Sequence, residues 1–162
     1  MSYVYTTGRR GWLVIAAAVA VLGICHSANA QFFRNPSVGG VVHTHSTHLV
    51  ALTLAGVWQP NDILPPLTPY QVMKVGHIPL ISYQRPGSPK VAEQVAQLAN
   101  SVRGVMLERL GPVVWESSVS RASYALEELE ETARLWLMSN PKPEPLDQAA
   151  LDELRAAFGV HW

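Results

Sequence analysis

Apolar positions in the second half of the chain recur at helical spacing. Val91, Val95, Leu98, Val102 and Val105 follow one another at steps of 4, 3, 4 and 3, which holds them on one face of a 3.6-residue helix. Ser88 stands at the cap position, Pro89 at the first helical position, and Gly111-Pro112 closes the run, so the spacing predicts a helix over 89–111. Trp115, Val119, Ala122, Leu126, Leu129, Ala133 and Trp136 continue the alternation and predict a second helix over 113–139. Asp147 offers an N-cap, Leu146 and Leu151 a hydrophobic staple, and Gly159 a stop; these predict a third, shorter helix with Leu151, Leu154 and Phe158 facing inward. Only Gly-Pro separates the first two helices, so an antiparallel hairpin is expected, with the third packed across it after the stiff Asn140–Pro145 connection.

The first half reads differently. Pro36, Pro60, Pro65, Pro66, Pro69, Pro79 and Pro86 leave little room for helices. Short strands fit over Val41–His45 and Leu49–Leu54, the latter run fitting a helix equally. A hairpin pairing Gln71–Val75 with Ile78–Tyr83 about Gly76-His77 is also expected, Pro79 confining its strand to a sheet edge. The fold class that follows is α+β leaning mainly α: a C-terminal antiparallel helical hairpin with a third short helix, behind an extended Pro-rich half that holds short antiparallel strands.

The N-terminus carries an address. Arg9 and Arg10 precede an apolar run from Trp12 to Cys25, and Ala28-Asn29-Ala30 places small residues at the cleavage positions, so residues 1–30 read as an export signal cut before Gln31. That run falls short of the ~20 residues a bilayer span needs. Arg9-Arg10-Gly11-Trp12-Leu13 is a partial twin-arginine motif, and Leu22-Gly23-Ile24-Cys25 a partial lipoprotein box; membrane attachment is expected only if the signal stays uncleaved or Cys25 is lipidated. The organisation is then a signal at 1–30, an extended region at 31–88 and a helical region at 89–162, placed outside the cytoplasm, periplasmic or secreted.

Charge adds exclusions. Lys and Arg number 12 and Asp and Glu 12, which removes a basic nucleic-acid binder. The mature region has no cysteine, no Gly-x-Ser-x-Gly elbow, no His-Glu-x-x-His and no glycine-rich phosphate loop, leaving catalysis without a local signature.

One cluster carries chemistry. In His43-Thr44-His45-Ser46-Thr47-His48 a strand would point His43 and His45 the same way, and a turn would bring in His48 as a third imidazole for Zn or Cu. The plainer reading is a solvent-facing polar segment. Glu127, Glu128, Glu130 and Glu131 read as a solvated helix face, with Glu130 flanking the core. Val113, Tyr124 and Leu135 form an outer patch on the second helix, expected to be buried within the chain. The function expected from sequence is an exported, non-enzymatic interaction or structural module of the cell envelope, whose helices 89–111 and 113–139 either complete a monomeric core or pair with a protein partner or another copy; the alternative is an envelope metal-binding protein using His43, His45 and His48 for Zn or Cu, and no other cofactor is implied.

Overall fold

The computed structural model describes residues 2–6, 35, 37–160 and 162. The predicted export signal lies outside the described residues from position 7 onward. Among the described residues five strands form one mixed sheet: β1 Ser2–Thr6, β2 Gly40–Thr44, β3 Leu80–Ile81, β4 Gly104–Leu107 and β5 Gly111–Glu116. Their order is β1-β2-β5-β4-β3, with antiparallel pairing except for β3 beside β4. The helices are α1 Thr47–Ala55, α2 Pro89–Leu98, α3 Val119–Met138 and α4 Gln148–Phe158, and a single π-helical turn covers Gln71–Val75.

The sheet is covered on both faces. Val42, Met106 and Val114 point to one side, where they pack against Leu49 and Leu52 of α1 and Ala122, Leu126 and Leu129 of α3. Val105, Leu107 and Trp115 point to the other, against Val91 and Val95 of α2. The two-residue alternation of strand side chains sorts β4 and β5 between these cores. A strand buried on both faces reads as a continuous apolar run, and all four residues of β4 are buried.

This architecture replaces the mainly helical one. Helix α2 ends at Leu98 and α3 begins at Val119; between them, where the helical spacing predicts the end of one helix and the start of the next, runs the β4–β5 hairpin. The two helices lie on opposite faces of the sheet, so the expected helical hairpin is absent among the described residues. Val102 and Val105 fit the helical spacing by coincidence, being the approach to β4 and a residue within it. In the first half Leu49–Leu54 is helical, within α1, and Gln71–Val75 is the π turn rather than a hairpin strand. Leu80–Ile81 pairs with β4 in parallel. Tyr124 and Leu135, expected to be buried, are exposed. Helix α4 starts where its cap predicts, the Asp147 carboxylate accepting the Ala150 N–H at 2.8 Å, and ends at Gly159 in the left-handed region. Leu151 is buried, but Phe158 is exposed rather than inward-facing.

Two glycines set the close approaches that shape both ends of β2. A Cβ on Gly40 would lie 2.2 Å from the Val119 nitrogen, and one on Gly111 would lie 1.9 Å from the Thr44 carbonyl oxygen. The first contact seats the start of α3 on the beginning of β2. The second presses the β4–β5 turn against the end of β2, where the histidines are.

Candidate functional site

His43 lies on β2 and is buried. A carbonyl can only accept, so the 2.8 Å contact between His43 Nδ1 and the Pro112 oxygen fixes the proton on Nδ1. Burial pushes the His43 pKa below its ordinary value, with the neighbouring His45 adding to that direction and the Pro112 contact opposing it. The residue is therefore a neutral imidazole with its lone pair on Nε2. His45, two positions on and exposed, sets its ring edge-on to His43 with centroids 5.3 Å apart.

His48 does not join them. Its Nδ1 lies 2.9 Å from Oε1 of Glu130 on α3, and the same carboxylate accepts the backbone N–H of His48 at 2.9 Å and of Leu49 at 3.0 Å. Ser46 stands at the cap position of α1, but its side chain bonds Thr44 Oγ1 and accepts no backbone N–H of the helix, so Glu130, distant in sequence, caps that helix from α3. An anion at a helix N-terminus satisfies unpaired N–H groups and complements the macrodipole. Glu130 is thus a capping residue rather than the flank of a solvated face that its helical position predicts.

The β4–β5 turn completes this end of the sheet. Arg109 adopts φ 62, its N–H donates to Thr53 Oγ1 of α1 at 3.1 Å, and its side chain is exposed. Gly111, two residues later, abuts Thr44 and His45. The structure therefore brings together His43, His45 and a cationic turn, and assigns His48 to the helix cap.

A second constellation, without local signature, lies beyond the opposite end of β2. A cavity of about 570 Å³ is lined by residues that include His77, Arg103, Trp115, Glu116, Ser117 and Arg121. Asp62 is 2% exposed; its Oδ2 meets His77 Nδ1 at 2.6 Å and its Oδ1 accepts the Ile78 N–H at 3.2 Å. Burial raises the Asp62 pKa above its ordinary value, while the bond to His77 opposes the shift. His77 in turn lies against the Trp162 ring at 4.3 Å. Asp62 and His77 sit in a proline-broken region where no periodicity connects them, so sequence offered no signal for the pair.

Three comparisons bear on this geometry. The model of the Class II Aldolase and Adducin N-terminal domain matches residues 25–137. The 3-oxo-tetronate 4-phosphate decarboxylase of Cupriavidus necator is 67% identical over 138 residues, covering 82% of this chain and 64% of the relative. The enzyme of the same name from Escherichia coli K12 is 38% identical over 128 residues, covering 78% of this chain and 60% of the relative. The chain thus spans less than two thirds of the length of these curated relatives. The crystal structure of YgbL from Klebsiella pneumoniae, described as an aldolase/epimerase/decarboxylase candidate, superposes with TM-score 0.74 at 38% identity, over 82% of this chain and 65% of that one. An L-fuculose 1-phosphate aldolase shares the fold at TM-score 0.66 and 17% identity, over 84% of this chain and 63% of that one.

These likenesses overturn the functional reading drawn from sequence. In place of a non-enzymatic, uncharacterised secreted or periplasmic module they put an enzyme of the aldolase type. The absence of a local catalytic motif misled because such sites are assembled from separate elements. Class II aldolases typically use a divalent metal, often zinc. A zinc site needs three or four protein ligands, and His43 and His45 supply two; with His48 bound to Glu130, no group of three His, Cys, Asp or Glu suited to a metal exists among the described residues. The described donor set falls short of a Zn or Cu site.

Proposed function

The chain belongs to the class II aldolase and adducin N-terminal domain family, and from that premise we propose that it serves the decarboxylation of a 3-oxo sugar acid phosphate, 3-oxo-tetronate 4-phosphate being the first candidate. The observation that carries this reading is the 67% identity over 138 residues to an enzyme of that name. In such a substrate the carboxylate is β to a ketone. The bond between C1 and C2 breaks, carbon dioxide leaves, and the electron pair passes through C2 to the C3 oxygen as an enolate. A proton delivered to C2 completes the reaction and gives dihydroxyacetone phosphate. What a protein must provide is charge at the developing enolate, a proton for C2 and an anchor for the phosphate.

The end of β2 offers groups for two of these tasks, the proton and the phosphate anchor. Neutral His43, its Nδ1 proton held by Pro112, packs edge-on against the His45 ring and fixes its orientation. His45 is exposed and acts as the proton carrier. Arg109 on the neighbouring turn supplies the positive charge that a phosphorylated acid requires. The test is turnover of 3-oxo-tetronate 4-phosphate by the purified chain, with dihydroxyacetone phosphate detected through a coupled NADH-dependent reductase. The expected result is one NADH oxidised per substrate consumed, with kcat/KM lowered about 100-fold in His45→Ala. Substrate that stays intact above the uncatalysed rate, or a His45→Ala variant as fast as the parent, removes the proposal.

A further inference from the structure

We propose that the cavity beyond the beginning of β2, at the other end of the strand from His43 and His45, is a second binding site that takes a small phosphorylated metabolite. Its volume of about 570 Å³ lies within the range of small-molecule sites. Its lining charges are two arginines and one carboxylate: Arg103 just before β4, Arg121 in the first turn of α3, and Glu116 at the end of β5. The site therefore carries a surplus of one positive charge.

Glu116 does not saturate the arginines. Its Oε1 lies 3.3 Å from Arg103 Nη1 and its Oε2 lies 3.7 Å from Arg121 Nε, both longer than a tight charge-assisted bond of 2.7–2.9 Å. The Arg103 and Arg121 side chains are 49% and 68% exposed, whereas that of Glu116 is 13% exposed. Each guanidinium has five N–H donors, and a single carboxylate at these distances engages one nitrogen of each. Donors on two separate elements suit the several oxygens of a tetrahedral phosphate dianion better than a second planar carboxylate, a role Glu116 already fills.

Two further features point the same way. The cavity borders the start of α3, a 20-residue helix seated there by the close approach of Gly40 to Val119, and the positive end of its macrodipole adds to the arginine field. On the other wall His77 is held in one orientation by Asp62 at 2.6 Å and by the Trp162 ring, presenting a polar edge beside Val75 and Val102. Apolar surface next to a cationic rim fits a short carbon skeleton that ends in phosphate.

The experiment is calorimetric titration of the full chain with glycerol 3-phosphate, and with glycerate as the carboxylate counterpart, at fixed low ionic strength. Saturable binding of the phosphate monoester is expected, at least tenfold tighter than glycerate. Arg103→Ala and Arg121→Ala should each weaken it about tenfold, the loss of one charge-assisted contact. Glu116→Gln should tighten it, because the competing carboxylate is gone, and His45→Ala should leave it unchanged. Arg121 is exposed, so its variant keeps the fold, and a thermal melt verifies this. No saturable heat, equal affinity for glycerate, or binding indifferent to Arg121→Ala overturns the proposal. Binding lost in His45→Ala also overturns it, since the ligand would then occupy the other end of β2.

Discussion

Replacing Glu130 with alanine removes the cap of a helix from a residue on another helix, and the structure sets the size of the effect. Three contacts disappear: the N–H groups of His48 and Leu49 at 2.9 and 3.0 Å, and the His48 ring at 2.9 Å. Leu49 is 0% exposed, so water cannot take over its N–H, and stranding a buried donor costs about 1–3 kcal/mol. Loss of the cap at the partly exposed His48 N–H adds about 1 kcal/mol, and loss of the anion from the helix N-terminus about 0.5 kcal/mol. Glu130→Ala should therefore destabilise the chain by about 3 kcal/mol, equivalent to a fall in Tm of about 6–12 °C for a domain of this size. Glu130→Gln keeps one acceptor for one N–H and should cost roughly half as much. His48→Ala loses only the imidazole contact, about 0.5–1 kcal/mol. Urea unfolding followed by far-ultraviolet circular dichroism gives all three values on one scale. A Glu130→Ala penalty below about 1 kcal/mol, or a His48→Ala penalty as large as that of Glu130→Ala, would refute the assignment of Glu130 as the cap of α1.

Gly111→Ala would force a Cβ to within 1.9 Å of the Thr44 oxygen at a φ of 145°; a loss of about 3 kcal/mol or more is expected, read as a lowered melting temperature or loss of soluble protein, and a variant as stable as the parent would contradict the close approach. Asp62 has its folded pKa raised from 3.8, chiefly by burial, so above that pH the native state holds more of its proton than the unfolded state does, and this residue's contribution to stability declines as pH rises. Asp62→Asn lacks this slope while keeping an acceptor for Ile78, so the stability of the variant relative to the parent should increase as pH rises from about 4 in urea titrations; a constant difference would show that burial does not govern Asp62.

The elements legible in the sequence are those specified by local chemistry. Helix α4 was found because Asp147, Leu146 and Gly159 each act within one helical turn, and the strand about His43 because its side chains alternate. What failed shares one cause: apolar spacing was assigned to a single buried face where the fold buries two. Val105 and Met106 serve opposite cores, as do Val114 and Trp115, so the run 104–116 contains valines and a tryptophan at intervals that a helix would also produce. Within those residues only Gly104, a weak helix position, Gly111, at a backbone angle that only glycine adopts readily, and Pro112, which also fits the break between two helices, speak against a helix. The same logic explains the site. His43 lies in β2 and His45 just past its end, their rings 5.3 Å apart because the two are close in sequence, whereas the partner of His48 lies 82 residues away on α3. A charged residue on a helix flank is indistinguishable in sequence from one that reaches across to cap a second helix. Sequence spacing therefore placed His43 on the strand that holds it, and misassigned His48, whose position is decided by tertiary packing of α1 on α3.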